Sequence, residues 1–515
     1  MADIVYRGNL KAASFPFLSE LFGRSVIVKQ QDQNYIGGLA AKETLDSSIG
    51  VPQIYYCHNV VPIDNGYKSV GYIDYSAAAF PSTANFQAAL TIRDGAGESA
   101  LITTDEVGNF YFMNAGSSTW SIPTGAPSAA SIKGKRITTA FVSGITYIYF
   151  EKVGCYFYDW GTTQLVSVTL TGITAGDILG IAGNAGYLLC YSIDAIAWSS
   201  VIDPTDFVPS LETGAGGGSV EGVRGDIVAI EEVYGGLIVF ARDNAVAASY
   251  SGNPRFPYNF TQITGCGGLI DPDNTAKDTG SGTIYAYTTS GLQSVTLRNA
   301  TTIMPEVTDF ISGSLLEDFN ELTNELYTID ASGTQLEKRL ALIADRYLIL
   351  SYGIGKLTHA LYHDLSYKQF GRLKVDHVDC FEFTSYSSGA VEVPKKSIAF
   401  LGSGGSIQIL NSDINADESN GVMILGKFQL VRSRLLQLQG VEFENVQTGD
   451  TFNLYDFPSH DGKTFLSPIE GYLASSSGLT RKYNFHTTAL NHSILCKGAF
   501  TAVSFILSFN VSGAR

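Results

Sequence analysis

Arg136-Ile-Thr-Thr-Ala-Phe-Val142, Ser143-Gly144, Ile145-Thr-Tyr-Ile-Tyr-Phe150: this stretch decides how the chain is read. Two runs rich in β-branched and aromatic residues flank a two-residue turn, the pattern of a β-hairpin. The next segment repeats it. Val153 to Tyr158 turns at Asp159-Trp-Gly161 into Gln164-Leu-Val-Ser-Val-Thr-Leu170. On the N-terminal side, Ala100-Leu-Ile-Thr-Thr104 leads through Asp105-Glu-Val-Gly-Asn109 into Phe110-Tyr-Phe-Met113. On the C-terminal side come Ile178–Tyr191 and Ile227–Phe240, then Thr283–Leu297, Arg339–Tyr352 and Lys396–Leu410.

Consecutive antiparallel hairpins of this kind build a sandwich, a barrel or a propeller. The number of strand–glycine–strand units between about 90 and 411 favours a propeller with irregular blades, because no WD, kelch or Asp-box period recurs. Composition agrees. The 515 residues contain 54 Gly, 28 Tyr and 29 Phe, but only 16% charged residues, against roughly 25% in ordinary soluble domains. Such a chain is neither a coiled coil nor a helical solenoid, and 45% hydrophobic content excludes a disordered acidic tail. A net charge of −16 argues against a protein that wraps nucleic acid by neutralising phosphates.

The expected organisation has three parts: an N-terminal arm over 1–50, a propeller over 51–420, and a C-terminal β-sandwich-like region over 421–515. Charge marks the second boundary. Residues 421–515 hold 8 Lys+Arg and 6 Asp+Glu, so the rest carries 25 against 43. One segment departs from the strand pattern. In 306–326, after Pro305, Phe310, Ile311, Leu315, Phe319, Leu322 and Leu326 fall at helical spacing with acids between them. The expectation there is a short amphipathic helix, or two, laid over a sheet edge. Six cysteines without a CxxC pair read as reduced, buried thiols, compatible with a reducing cytoplasm. The N-terminus lacks a secretory pattern, and Ala499 to Val511 is too short and too interrupted to span a bilayer. No cleavable signal and no membrane anchor are expected.

Candidate chemistry is sparse. His359-Ala-Leu-Tyr-His363-Asp364 offers two imidazoles and a carboxylate without the glutamate of HExxH. Leu357 to Leu361 reads as a strand, on which residues four apart lie about 13 Å apart, too far for one metal. Gly421 to Phe428 has GxxxxGK spacing but ends in Phe with an apolar interior, and is rejected as a phosphate loop. Asp271, Asp273 and Asp278 lack the glycine and terminal glutamate of a calcium loop and read as a solvated acidic turn. Gly214-Ala-Gly-Gly-Gly218-Ser reads as a flexible loop. No carboxylate pair stands out for glycoside chemistry, and no GxSxG elbow is present. No catalytic, cofactor-binding or metal residue is nominated, no cofactor is expected, and the chain is expected not to be an enzyme.

Three stretches carry a resemblance. Asn59-Val-Val-Pro62 followed by Gly66 and Gly71 is similar to an early signature of tail nozzle or tail hub proteins of short-tailed bacteriophages. Ser69-Val-Gly71 stands here where relatives end in Arg-Pro-Gly. Ala197-Trp-Ser199, Asp203-Pro-Thr-Asp-Phe207 and the following strands resemble the family's order, as does Glu306-Val-Thr-Asp-Phe310 after Tyr287 and Ser290-Gly291. Together they span about residues 50–410. The resemblance implies a propeller subunit, six copies forming a homo-oligomeric ring at the distal end of a virion tail after assembly in the host cytoplasm. Its implied partners are the portal–adaptor complex, tail fibres or spikes, and double-stranded DNA passing without sequence-specific binding. Acidity fits a lining from which DNA is repelled. The alternative is a propeller that binds or degrades glycans, as a receptor-binding protein or depolymerase.

Overall fold

The computed structural model describes residues 3–9, 26–28, 44–45, 54–75, 85–93, 95, 99–114, 117, 119–253, 256–278, 280–305, 307, 315–320, 322–330, 336–385, 395–411, 421–430, 435–444, 446–447, 450–460, 466–477 and 480–511. The chain is all-β. Its centre is a β-propeller, with seven blades among the described residues.

Blade 1 holds Phe86–Arg93, Ser99–Asp105 and Phe110–Asn114, with Ser121 bridging to Phe112 at its outer edge. Blade 2 holds Ile137–Val142, Ile145–Phe150, Gly154–Asp159 and Gln164–Val168. Blade 3 holds Gly180–Asn184, Tyr187–Tyr191, Ala195–Trp198 and Gly216–Ser219. Blade 4 runs through Ile227–Val233, Gly236–Ala241, Ala245–Tyr250 and Tyr258–Gln262. Blade 5 runs through Thr275–Asp278, Thr283–Thr288, Gly291–Val295 and Ala300–Thr302. Blade 6 is Leu336–Ile343, Tyr347–Ile354, Leu357–Asp364 and Gln369–His377. Blade 7 is Asp379–Ser385, Lys395–Leu401 and Ile407–Asn411.

The hairpins follow from their turns. Ser143 and Gly144 both have positive φ, 52° and 84°, the two-residue geometry whose twist matches that of paired strands. Register then sets Ile137 opposite Phe150 and Val142 opposite Ile145. Tyr and Phe fill the space between blades. Phe112 of blade 1 stacks on Tyr158 of blade 2 with ring centroids 3.9 Å apart, beside buried Phe110, Ile148 and Phe150.

Blade 7 is closed from the other end of the chain. Gly71–Tyr75 pairs antiparallel with Ile407–Asn411 as the blade's fourth strand, so the ring is held by ladder hydrogen bonds between segments over 300 residues apart. The C-terminal unit is a sandwich of two sheets. One orders Asp3–Asn9, Ser504–Val511, Leu436–Glu444, Thr480–Ala489 and Tyr472–Ser477, with Thr44–Leu45 outside the first. The other orders Val26–Val28, Gly421–Leu430, Asn491–Ala499, Thr451–Ser459 and Ile469–Glu470. Phe428, Phe443, Leu454 and Phe505 lie buried between them. Where the expected arm over 1–50 is described, it is extended and adds strands to this sandwich. Asp3–Asn9 pairs along its whole length with Ser504–Val511.

Of the helix expected over 306–326, the part from 315 on is corrected, while Pro305 and Val307, before it, are helical. Leu315–Asn320 and Glu325–Asp330 form an antiparallel hairpin between blades 5 and 6. The turn decides it. The Asn320 side-chain oxygen accepts from the backbone N–H groups of Leu322 and Thr323, and Asn324 has φ 55°. Those polar side-chain bonds compete with helix, and the apolar residues at helical spacing are interrupted there. Phe310 and Ile311 lie outside the described residues.

Candidate functional site: the propeller channel

The first strands of six blades line a central cavity of about 880 Å³. Each contributes side chains or backbone to its wall. Arg136 precedes the first strand of blade 2. Glu231 lies in that of blade 4, Arg339 in that of blade 6, and Asp379 opens that of blade 7. Asp273 enters from the 3-10 turn Pro272–Asn274 before blade 5, whose N-cap Asp271 accepts from the Asp273 N–H at 2.9 Å.

These groups form a chain of contacts across the cavity. Arg339 reaches Asp379 at 3.1 Å and Asp273 at 3.3 Å, and donates to the Gln87 carbonyl at 3.0 Å. Arg136 faces the other oxygen of Asp273 at 3.7 Å and donates to the Tyr191 hydroxyl at 3.0 Å. Asp379 also accepts from the N–H groups of Ala89 and Cys380, at 2.8 and 2.9 Å. Glu231 accepts from the Thr275 hydroxyl at 2.7 Å. Burial pushes the Asp379 carboxyl above its ordinary value, with Arg339 opposing. Burial does the same to Glu231, against Thr275 and Arg136. The two arginines are held above the ordinary guanidinium value. Burial works against them, but Tyr191 and Asp273 outweigh it at Arg136, and Asp379 and Asp273 do so at Arg339.

Chemically, this belt neutralises itself. Asp273 sits between two guanidiniums, and Asp379 has one guanidinium and two backbone donors. The arrangement ties blades 1, 2, 5, 6 and 7 together around the axis. Asp273 is thus a turn residue, as expected, but one whose carboxylate is engaged by the channel arginines. Its side chain is 38% exposed and paired twice. Asp278 ends the strand Thr275–Asp278 and anchors the turn after it, accepting from the N–H groups of Gly280 and Ser281.

The other sequence candidates do not join this site. His359, His363 and Asp364 lie on the strand Leu357–Asp364. His363 packs on Phe370 with centroids 4.3 Å apart, and burial lowers its imidazole to about 4. Asp364 is held by Arg346 at 2.7 Å. His359 belongs to a separate buried cluster below the 315–330 hairpin, lowered by burial to about 4. There Asp318 takes Lys374 at 2.7 Å and the Tyr56 hydroxyl at 3.3 Å, with His359 at 3.6 Å. Gly421–Leu430 is a ladder-paired strand, not a loop. Among the described residues no group of three His, Cys, Asp or Glu side chains could hold a metal ion, and no helix is long and apolar enough to cross a membrane.

The glycine run is also corrected. Gly216–Ser219 is the outermost strand of blade 3. Trp198 explains why glycine is used there: a Cβ on Gly216 would meet its ring at 3.2 Å, and its indole N–H donates to the Gly214 carbonyl. Arg136, Glu231, Arg339 and Asp379 were not nominated from sequence because they lie far apart in the chain and share no local motif. Their common signal is position at or near the first strand of a blade, visible only once blades are in register.

No family model matches this chain, and no curated protein matches it. Solved structures share the propeller architecture. The BT4673 extracellular domain from B. thetaiotaomicron matches over 90% of this chain at 11% identity and TM-score 0.42. YCF48 from Cyanidioschyzon merolae matches over 67% of this chain and 100% of its own length, at 11% identity and TM-score 0.38. The WD40 β-propeller domain of Doa1 covers 67% of this chain and 97% of its own, at 8% identity and TM-score 0.37. The chain spans 63% of the BT4673 domain's length. These likenesses concern the fold alone.

Proposed function

We propose that this chain is a structural subunit of a short phage tail: the nozzle or hub, assembled as a ring of about six copies below the portal–adaptor complex and carrying fibres or spikes. One observation supports this reading above others. In the first two resembling stretches, Asn59, Ser199, Asp203, Asp206 and Phe207 serve as scaffold. Asn59, at φ 51°, accepts the Tyr72 hydroxyl and the Lys374 N–H, both at 2.9 Å. It thereby links the strand entering blade 7 to blade 6, next to the sandwich. In the second stretch, Asp203 accepts from the Thr205 N–H at 2.8 Å, Asp206 from the Val208 N–H at 3.0 Å, and Phe207 is buried. Ser199 receives the Leu188 N–H at 3.0 Å. A signature that fixes joints and corners suits a load-carrying assembly part.

Under this reading the DNA passage is the lumen between copies, because each chain's own channel is crossed by the Arg136–Asp273–Arg339–Asp379 belt. The excess of acids before residue 420 gives such a lumen the sign of DNA, acting within a screening length of about 8–10 Å. The test is imaging of the purified protein mixed with its portal–adaptor complex. The expected result is a closed ring seated on the adaptor's distal face. A monomer at all concentrations, with no adaptor binding, overturns the proposal. Turnover of a host surface polysaccharide would replace it with the glycan-degrading alternative.

A further inference from the structure

Blade 3 carries a feature that the nozzle reading does not use and that stands independently of it. Its outer strand, Gly216–Ser219, is last in its sheet, paired only with Ala195–Trp198. Among the described residues, one row of its backbone N–H and C=O groups thus faces no further strand. The outer strands of blades 2 and 5 are covered, whereas that of blade 4, Tyr258–Gln262, also ends its sheet without a bridge among the described residues. Thr124 bridges to Gln164 on blade 2 and its carbonyl takes the Leu165 N–H at 2.9 Å. Thr264 bridges to Asn299 beside blade 5 and takes the Ala300 N–H at 3.0 Å. Among the described residues, no such bridge reaches Gly216–Ser219.

Exposed edges are usually blocked by lysine, proline or a bulge, and this one has none of these. A Cβ placed on Gly218 meets nothing within 4 Å. Across one face of the blade, reaching this edge, lies an open groove of about 250 Å³ lined by Cys190, Ala197 and Gly217, which face each other on three successive strands, and by Ile173, Phe207 and Pro209. Next to its lining residues stand exposed Ile193 and Val208. Ile202 and Leu211, on the same loop, are 84% and 69% exposed. Singly exposed apolar residues are ordinary, but several gathered around a groove mark an interaction surface.

Charge says what the surface takes. From Val153 to Val223 the chain has seven acidic residues and no Lys, Arg or His. Four of them, Asp194, Asp203, Asp206 and Glu212, lie in the segment that frames the groove and its edge. We infer that the outer edge of blade 3 docks an extended, lysine- or arginine-bearing segment of another protein. The segment adds as a further strand to Gly216–Ser219, with alternate apolar side chains in the groove. Main-chain pairing supplies affinity in this mode and the alternate side chains supply specificity. The acidic surround selects the basic partner and speeds its approach.

The test uses the full chain and fluorescent synthetic peptides, read by anisotropy. A peptide alternating Lys and Val is expected to bind, more weakly as salt rises. A Glu–Val counterpart, and a Lys–Val peptide broken by central prolines, should bind at least about tenfold more weakly. Gly218→Lys should abolish binding without lowering the melting temperature, since its side chain enters open space. Leu211→Ser should weaken binding and serves as a second variant should Gly218→Lys disturb folding. Several results overturn the inference: no binding of the Lys–Val peptide, equal binding of the Glu–Val peptide, or binding that survives both substitutions. Self-association that is lost in Gly218→Lys, without peptide binding, also overturns it, because the edge would then be an interface between copies.

Discussion

Asp456→Ala should detach the two sheets of the C-terminal sandwich from each other, in a pH-dependent way. Asp456 and His492 are both 0% exposed and meet at 2.9 Å within one sheet. Their remaining bonds cross to the other sheet. The Thr487 hydroxyl donates to Asp456, and the second imidazole nitrogen of His492 lies 3.0 Å from the Leu436 carbonyl. Both ring nitrogens face acceptors, so the ring is held as the imidazolium. Burial by itself would lower its pKa, but the Asp456 charge and hydrogen bond, with the Leu436 carbonyl, hold it above the ordinary value. Removing the carboxylate loses a charge-assisted bond worth about 1.5–3 kcal/mol and leaves the Thr487 hydroxyl and His492 Nδ1 unsatisfied, at about 1–3 kcal/mol each. Part of this is relieved when His492 gives up its proton, so a net loss of about 3–5 kcal/mol is expected, the range for one partner removed from a buried pair. Asp456→Asn keeps acceptor and donor and should lose about 1–2 kcal/mol.

The sign with pH follows from the raised imidazole. Its stabilisation is fully present below the unfolded value of about 6.5 and is lost as pH rises through the higher folded value. The gap between wild type and Asp456→Ala should therefore be widest below that value and narrow toward alkaline pH. All three tryptophans, Trp120, Trp160 and Trp198, lie in the propeller, so their fluorescence reports the wrong unit. Hydrogen exchange of the amides in Asn491–Ala499, under urea, reads the sandwich. A loss below about 1 kcal/mol, or a gap that widens as pH rises, refutes the reasoning.

Three further outcomes are expected. Phe319→Ala should release the 315–330 hairpin: Phe319 is 1% exposed and stacks on Tyr56 at 6.0 Å, so about 3–5 kcal/mol is lost locally, seen as faster amide exchange in Glu325–Asp330 with propeller exchange unchanged. Gly216→Val should lower the melting temperature by forcing Trp198 off its seat, at about 1–3 kcal/mol, whereas Gly218→Ala should be neutral because nothing lies near its Cβ. Native thiols should resist Ellman's reagent, since burial pushes Cys57, Cys155 and Cys266 up to about 12. All six cysteines should react after unfolding, and rapid labelling of Cys57 in the native protein would contradict its burial.

Much of the propeller was legible because a hairpin is a local object. Ser143-Gly144 and the runs on either side are contiguous, and alternation plus turn chemistry state the pairing without reference to the rest of the chain. The strand reading of Leu357–Leu361 held for the same reason. Errors came where a distant partner overrides local preference. Residues 315–326 carry a helical spacing of apolar groups, yet Asp318 and Phe319 are anchored by Tyr56 and Lys374, some 260 and 55 residues away. Gly214–Gly218 reads as loop until Trp198 supplies the flat surface on which Gly216 packs, where a Cβ would press at 3.2 Å.

By itself the sequence determined an all-β chain of short strands. It also determined a large excess of acids before residue 420, and thiols too apolar in surroundings to be reactive. Each of these depends on neighbours in the chain, or on a sum over it. Only the tertiary structure decided the number of blades and the closure of the ring by Gly71–Tyr75. Only it placed the strand Asp3–Asn9 beside Ser504–Val511, and the Arg136–Asp273–Arg339–Asp379 belt across the channel. Those features are pairings between residues separated by tens to hundreds of positions. Their signal in a single sequence is no stronger than that of any other arginine and aspartate, and burial in a shared space is what selects them.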